Sequence, residues 1–248
     1  MSGHSKWHSI KHKKAAADAK RGRVFTKVIK EITVAARLGG GDFESNARLR
    51  LAVDKAKQAN MPADNIKRAI QKGTGELPGV SYEEVTYEGY GPGGAAVMVE
   101  VFTDNKNRTV ADLRHIFSRH GGNLGAANCV AWKFERKGII TLEGDPGEEV
   151  IMEIALEAGA LDISKDDEGF WQITTAPDGL YQVKQSMESQ KFIISNAEIV
   201  LVPSTTTPLE GKQAEQMLKL MERLEEHDDV QNVYADFDIP EEIMDTME

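Results

Sequence analysis

Residues 138–202 read GIITLEGDPGEEVIMEIALEAGALDISKDDEGFWQITTAPDGLYQVKQSMESQKFIISNAEIVLV, and the order of patterns within them decides the fold. Short β-type runs at 138–142, 161–164, 170–174 and 197–202 alternate with two longer stretches of helical period, 148–158 and 180–190. That order is βαββαβ, the ferredoxin-like split unit. Before it come strands at 82–88 and 95–103, joined by a Gly-rich loop, then a helix at 107–120 and a strand at 130–135. After it come a helix at 211–226 and a strand at 230–237. These flanking elements complete a second α+β set only if they pair across the central run. The expected architecture is α+β and multidomain, with a ferredoxin-like domain (137–204) inserted in a discontinuous α+β domain (79–136 plus 205–248).

Upstream the pattern is helical. Val24, Val28, Ile32 and Ala35, flanked by Phe25, Ile29 and Ala36, recur at helical spacing as far as the glycines at 39–41. A second helix fits 46–60, with Leu49, Val53 and Ala56 inward. Pro62 falls in the first turn of a third, where its missing N–H costs nothing, and Ile66, Ala69 and Ile70 face inward up to Gly73. A helical domain at 24–78 follows, ending in the Gly- and Pro-containing linker 74–81. Residues 1–23 carry no apolar face, so they read as a basic arm that is mobile when unbound.

Charge divides the chain. Residues 1–72 hold 17 Lys/Arg against 6 Asp/Glu, while the remaining 176 residues hold 13 against 34. A cationic start on an acidic body points to a polyanion partner, and nucleic acid is the first candidate because phosphate contacts dominate its non-specific affinity. The residues expected to make those contacts are Lys6, Lys11, Lys13, Lys14, Lys20, Arg21, Arg23 and Lys27. Trp7 is placed to stack on an unpaired base or to anchor the arm. His12 belongs to a four-residue repeat with His4 and His8, but no carboxylate or Cys lies near and the adjacent lysines repel a cation. It is therefore assigned to the phosphate-facing arm rather than to a metal. Lys106 and Arg108, at a strand-to-helix junction, are secondary phosphate candidates, with Asn107 the expected helix cap. No helix-turn-helix with a polar recognition face stands out, and a Lys-rich arm suits phosphates more than base edges.

Other classes lack their signatures. The only Cys, Cys129, is flanked by apolar Val130, Ala131 and Trp132, which suits a structural thiol in a reducing compartment, and the cytoplasm is the expected location. No apolar run nears the roughly 18 residues of a membrane helix. The GPGG loop at 91–94 lacks the Lys-Ser/Thr ending of a phosphate loop and leads into a strand. There is no nucleophile elbow, zinc pattern or dinucleotide fingerprint. The expectation is a non-enzyme without cofactor or metal.

Several stretches, read together, resemble one family. MSGHSKWHSIKHKK (1–14), KRGRVFTK (20–27), ANMP (59–62), YEGYGPGG (87–94), TDNKNRT (103–109) and GGNLG (121–125) are similar to the YebC family, and the similarity runs essentially end to end. The resemblance implies three domains, one helical, one α+β and one ferredoxin-like domain inserted in the latter. It also implies a cytoplasmic bacterial regulator of transcription that binds DNA. A related mitochondrial member activates translation of a cytochrome oxidase subunit, and bacterial members are linked to ribosomes stalled on proline runs. The alternative it leaves open is thus a translation factor whose partner is ribosomal RNA or the ribosome.

Overall fold

The computed structural model describes residues 18–144, 147–165 and 169–240, with side chains from residue 22 onward. Within them the chain forms two compact units, residues 133–204 and residues 18–132 with 205–240.

The smaller unit holds β4 (Phe134–Leu142), α5 (Glu148–Glu157), β5 (Ala160–Lys165), β6 (Trp171–Thr175), α6 (Leu180–Ser189) and β7 (Ile194–Pro203). Its sheet order is β5-β6-β4-β7, antiparallel throughout, which is the ferredoxin-like arrangement. Strand alternation sets its core. Gly138, Ile140 and Leu142 of β4 and Trp171, Ile173 and Thr175 of β6 point to the buried side. They pack with Ile151, Ala155, Leu180, Val183 and Met187 of the helices. Gly138 is required, because a Cβ there would collide with the Thr175 hydroxyl and lie 3.0 Å from Leu180.

The larger unit opens with α1 (Asp18–Gly39), α2 (Ala47–Gln58) and α3 (Ala63–Thr74). Val28, Ile32, Ala35 and Ala36 of α1 join Leu49, Ala52, Val53, Ala56, Met61, Ile66 and Ala69 in one buried cluster. Its sheet, in order β3-β1-β2-β9, contains β1 (Glu83–Tyr90), β2 (Ala96–Thr103), β3 (Asn123–Leu124) and β9 (Val230–Ala235), all antiparallel. Between them run α4 (Lys106–Arg119) and α7 (Gly211–Glu226), which pack on the sheet through Leu113, Phe117, Met217, Leu220, Met221 and Leu224. A short parallel pair, β8 (Thr207–Pro208) with β10 (Phe237–Asp238), closes the unit. β2 and β9 are therefore neighbours in one sheet although the whole ferredoxin-like unit separates them in sequence.

Two sequence expectations change. Among the described residues helix α1 covers Asp18–Gly39, so residues 18–23 of the expected arm are helical; Ala, Lys and Arg are good helix formers and favour this over coil. The expected strand at 130–135 is replaced by a tight 3₁₀ turn, Ala131–Lys133, and β4 begins immediately after it. The cause is Glu88. Its carboxylate accepts the N–H groups of Asn128 (2.7 Å), Val130 (2.8 Å) and Ala131 (2.9 Å), which removes those donors from any sheet ladder.

Asn46 joins α1 to α2. Its oxygen accepts the Leu49 N–H (3.0 Å) as N-cap, and its amide donates to the Ala35 (2.9 Å) and Gly40 (2.8 Å) carbonyls. Asn46→Ala removes all three bonds, and a loss of about 2 kcal/mol or more is expected for the helical domain in urea titrations. Asn46→Asp keeps the cap but not the two donors and should fall between; a variant as stable as wild type would show that the junction is held elsewhere.

Candidate nucleic-acid interface

Of the cations singled out in the sequence, Lys6, Lys11, Lys13 and Lys14, together with Trp7 and His12, lie outside the described residues. Lys20 and Arg21 lie on the first turns of α1, and their side chains are outside the described set.

The next cations on α1 lie along one stripe, exposed at Arg23 and buried at Lys30. Arg23 approaches Glu226 at 3.4 Å, and Lys27 donates to the Glu225 carbonyl at 2.8 Å. Lys30 is buried and donates to Asp229 Oδ1 (3.0 Å), to the Asp228 carbonyl (2.9 Å) and to the Phe102 carbonyl (3.4 Å). These residues are three and four apart, so they descend one side of α1 onto the C-terminal end of α7. That end carries the negative pole of the helix, which cations stabilise.

Asp229 is the hub of the seam. Besides Lys30 it accepts Arg108 Nη2 (2.8 Å) and the hydroxyls of Thr109 (2.8 Å) and Thr103 (3.2 Å). Burial alone would push this carboxyl up, but the hydrogen bonds from Arg108, Lys30 and Thr109 outweigh it and hold the group well below the usual carboxylate range.

The loop before α4 is matched internally too. Arg108 also pairs with Asp104 (2.8 Å), and Lys106 pairs with Glu83 (2.5 Å). The cap of α4 is Asn105 rather than Asn107; its extended backbone lets the side chain accept the Arg108 N–H at 3.1 Å. Arg48 of α2 lies between Glu31 (2.7 Å) and Glu84 (2.9 Å), above the Phe102 ring. Each of these cations already has a carboxylate.

The helical domain differs on its other side. Lys57 of α2 and Lys67, Arg68 and Lys72 of α3 are exposed, and none makes an ion pair among the described residues. Asp64 is the only acid on α3. The inner side of α3 is fixed by Ile66 and Ala69 and by Gly73, where a Cβ would lie 2.5 Å from the Thr33 carbonyl of α1. Asn65 and Gln71, half-buried, complete a polar outer face that the sequence reading missed. The available signal was three bases against one acid at the positions left over by the apolar spacing.

Elsewhere the geometry is less suggestive. On the ferredoxin-like sheet, the face opposite its core carries Lys137, Ile139 and Thr141 of β4, Asp162 and Ser164 of β5, Gln172 and Thr174 of β6, and Asn196, Glu198 and Val200 of β7. These positions include no aromatic residue of the kind on which such sheets stack single-stranded bases. Cys129 is half-buried, and burial followed by the nearby Glu88 charge pushes its thiol up, which disfavours the nucleophilic thiolate. Its neighbour Trp132 is 74% exposed rather than part of an apolar shell, with its indole N–H on the Cys129 carbonyl (3.2 Å). Among the described residues no cluster of His, Cys, Asp or Glu is arranged to hold a metal, and no helix is long and apolar enough to cross a membrane.

Two family models match the chain: "TACO1/YebC protein N-terminal domain" over residues 5–76 and "TACO1/YebC second and third domain" over residues 82–237. The chain belongs to the TACO1/YebC family. Relatives named "Probable transcriptional regulatory protein" include one from Geotalea uraniireducens, 59% identical over 247 residues and covering 100% of both chains. Another, from Syntrophus aciditrophicus, is 60% identical over 249 residues, covering 100% of this chain and 99% of the relative. Among solved structures, a conserved hypothetical protein, Aq1575, from Aquifex aeolicus is 50% identical with a TM-score of 0.84. That match covers 92% of this TACO1/YebC chain and 94% of the Aquifex one.

The seam gives a test with a defined sign. A carboxyl whose folded pKa is depressed contributes stability that is complete above the ordinary carboxylate pKa and is lost as pH falls toward the depressed value. The stability gap between wild type and Asp229→Asn is therefore expected to be constant from pH 8 to about 5 and to narrow below about pH 4. Asp229→Ala leaves Lys30 buried without its carboxylate and should cost about 3–5 kcal/mol. Urea titrations across pH measure both; a gap that widens on acidification contradicts the assignment.

Proposed function

We propose that the protein is a cytoplasmic, non-enzymatic regulator of gene expression that binds nucleic acid, with DNA as the target and transcription as the process. The observation that carries this reading is the separation of charge, 17 bases against 6 acids in residues 1–72 and 13 against 34 in the rest. The acidic body repels a polyanion, so affinity concentrates in the N-terminal region. There the residues assigned to phosphates are Lys6, Lys11, Lys13, Lys14, Lys20 and Arg21, with Trp7 and His12 beside them. Arg23, Lys27, Lys106 and Arg108 have protein partners at close range, which gives them a lesser share. The regulatory role accords with the names carried by the relatives.

A translation factor that binds RNA or the ribosome is the second reading. Two observations favour it: the family models are named jointly for TACO1 and YebC, and the first 17 residues hold four Lys and no Arg. Compact ammonium charges suit phosphates of either nucleic acid better than base edges.

Deleting residues 1–17 keeps all of the described span of α1, Asp18–Gly39, and tests the arm directly. The truncated protein should melt like wild type yet lose most of its affinity for DNA. Replacing Lys6, Lys11, Lys13 and Lys14 by Ala should make the slope of log K against log salt shallower by about 0.7–0.9 per contact removed. Unchanged affinities and parallel slopes would reduce the arm to a solubility tail. Crosslinking in cells, followed by sequencing of the bound strands, separates the two readings: DNA supports the first and ribosomal RNA the second.

A further inference from the structure

We infer that the outer face of α3 is a second nucleic-acid contact, and that its partner is the major groove of duplex DNA. The inference rests on the nucleic-acid reading above and assigns it a surface beyond the arm.

Charge is the first ground. Arg23, Lys27, Lys30, Arg48, Lys106 and Arg108 are all engaged by acidic side chains or backbone carbonyls of the chain itself. Lys67, Arg68 and Lys72 are exposed and make no ion pair among the described residues. Arg68 and Lys72 stand four apart, as do Lys67 and Gln71, so the outer side of one helix gathers three cations and an amide, with the exposed Asp64 of the first turn as the one acid beside them. The excess of positive charge on this face is complementary to a row of phosphates.

Shape is the second. Helix α3 has 12 residues, about 18 Å of axis, and its inner side is locked to α1 at Gly73. A rigid helix with a polar outer face fits the B-form major groove, about 12 Å wide, whereas the A-form major groove is too narrow to be read by side chains.

Residue chemistry is the third. Lys67 and Lys72 suit phosphates as point charges. Arg68, Asn65 and Gln71 are the side-chain types that bond bidentately to guanine and adenine edges. The turn between α2 and α3 adds rigidity. Asn60 takes positive φ (58°), and Met61, buried, donates its N–H to the Ala56 carbonyl at 2.9 Å.

The test uses the full chain and three probes of one sequence: a 20-base-pair DNA duplex, the matching RNA duplex and the DNA single strand. Lys67→Ala/Arg68→Ala/Lys72→Ala is compared with wild type and with Arg114→Ala/Lys212→Ala/Lys219→Ala, which removes the same charge from exposed positions on α4 and α7. Circular dichroism melts establish that all three are folded. The α3 variant is expected to bind duplex DNA at least tenfold more weakly, with a salt slope shallower by up to about 0.9 per cation removed. The control variant should bind as wild type or only slightly more weakly, since it adds to the negative charge of a body that already repels DNA. Equal DNA affinity and slope in wild type and the α3 variant overturn the inference and leave the arm reading intact. A loss confined to the RNA duplex or the single strand also overturns it. A wild type that binds none of the probes contradicts the nucleic-acid reading itself.

Discussion

The buried carboxylate of Asp229 is the interaction on which the larger unit depends. It receives Lys30 from the helical domain and Arg108, Thr103 and Thr109 from the sheet domain, so one anion ties α1, β2, α4 and the start of β9 together. Taking a carboxylate and an ammonium out of water is expensive, and the arrangement holds because every donor aimed at Asp229 is well placed. The same contact has a functional consequence. It draws the cationic stripe of α1 onto the acidic end of α7 and leaves the outer side of the helical domain to meet other molecules.

That division separates two kinds of positive charge that look alike in a sequence. Lys27 and Lys30 stabilise the fold through carbonyls and a carboxylate late in the chain, whereas Lys67 and Lys72 have no such partner among the described residues. A polyanion is attracted to the second kind, because displacing an internal partner from the first kind costs most of what the new contact returns. The ferredoxin-like unit belongs to the acidic part of the chain; its outer sheet face sets Lys137 among Asp162 and Glu198 and, among the described residues, has no aromatic side chain of a nucleic-acid platform.

What the sequence made legible follows from the range of the forces involved. The βαββαβ order and the three helices rest on local periodicity, and the order survives in the structure with ends shifted by a few residues. Insertion of one domain in another was legible because the surplus strands had no other partners. The strand expected at 130–135 failed for a non-local reason: Glu88, 42 residues before Val130, takes the amide hydrogens a ladder would need. Asn105 and Asn107 are chemically identical, and only backbone dihedrals select the cap. Lys30 was visible as a charge, but Asp229 lies 199 residues away, so its burial was not.

Lysine reactivity in the full-length protein, read residue by residue by mass spectrometry after limited acetylation with and without a DNA duplex, tests this account most directly. In the free protein Lys30 should react slowly and Lys67 and Lys72 quickly, as their burial and exposure require. Adding DNA should protect Lys67, Lys72 and the lysines at 6–14 and leave Lys30, Lys137 and Lys191 unchanged. Protection of Lys137 and Lys191 with undiminished reactivity at Lys67 and Lys72 would place the contact on the ferredoxin-like unit and contradict the account.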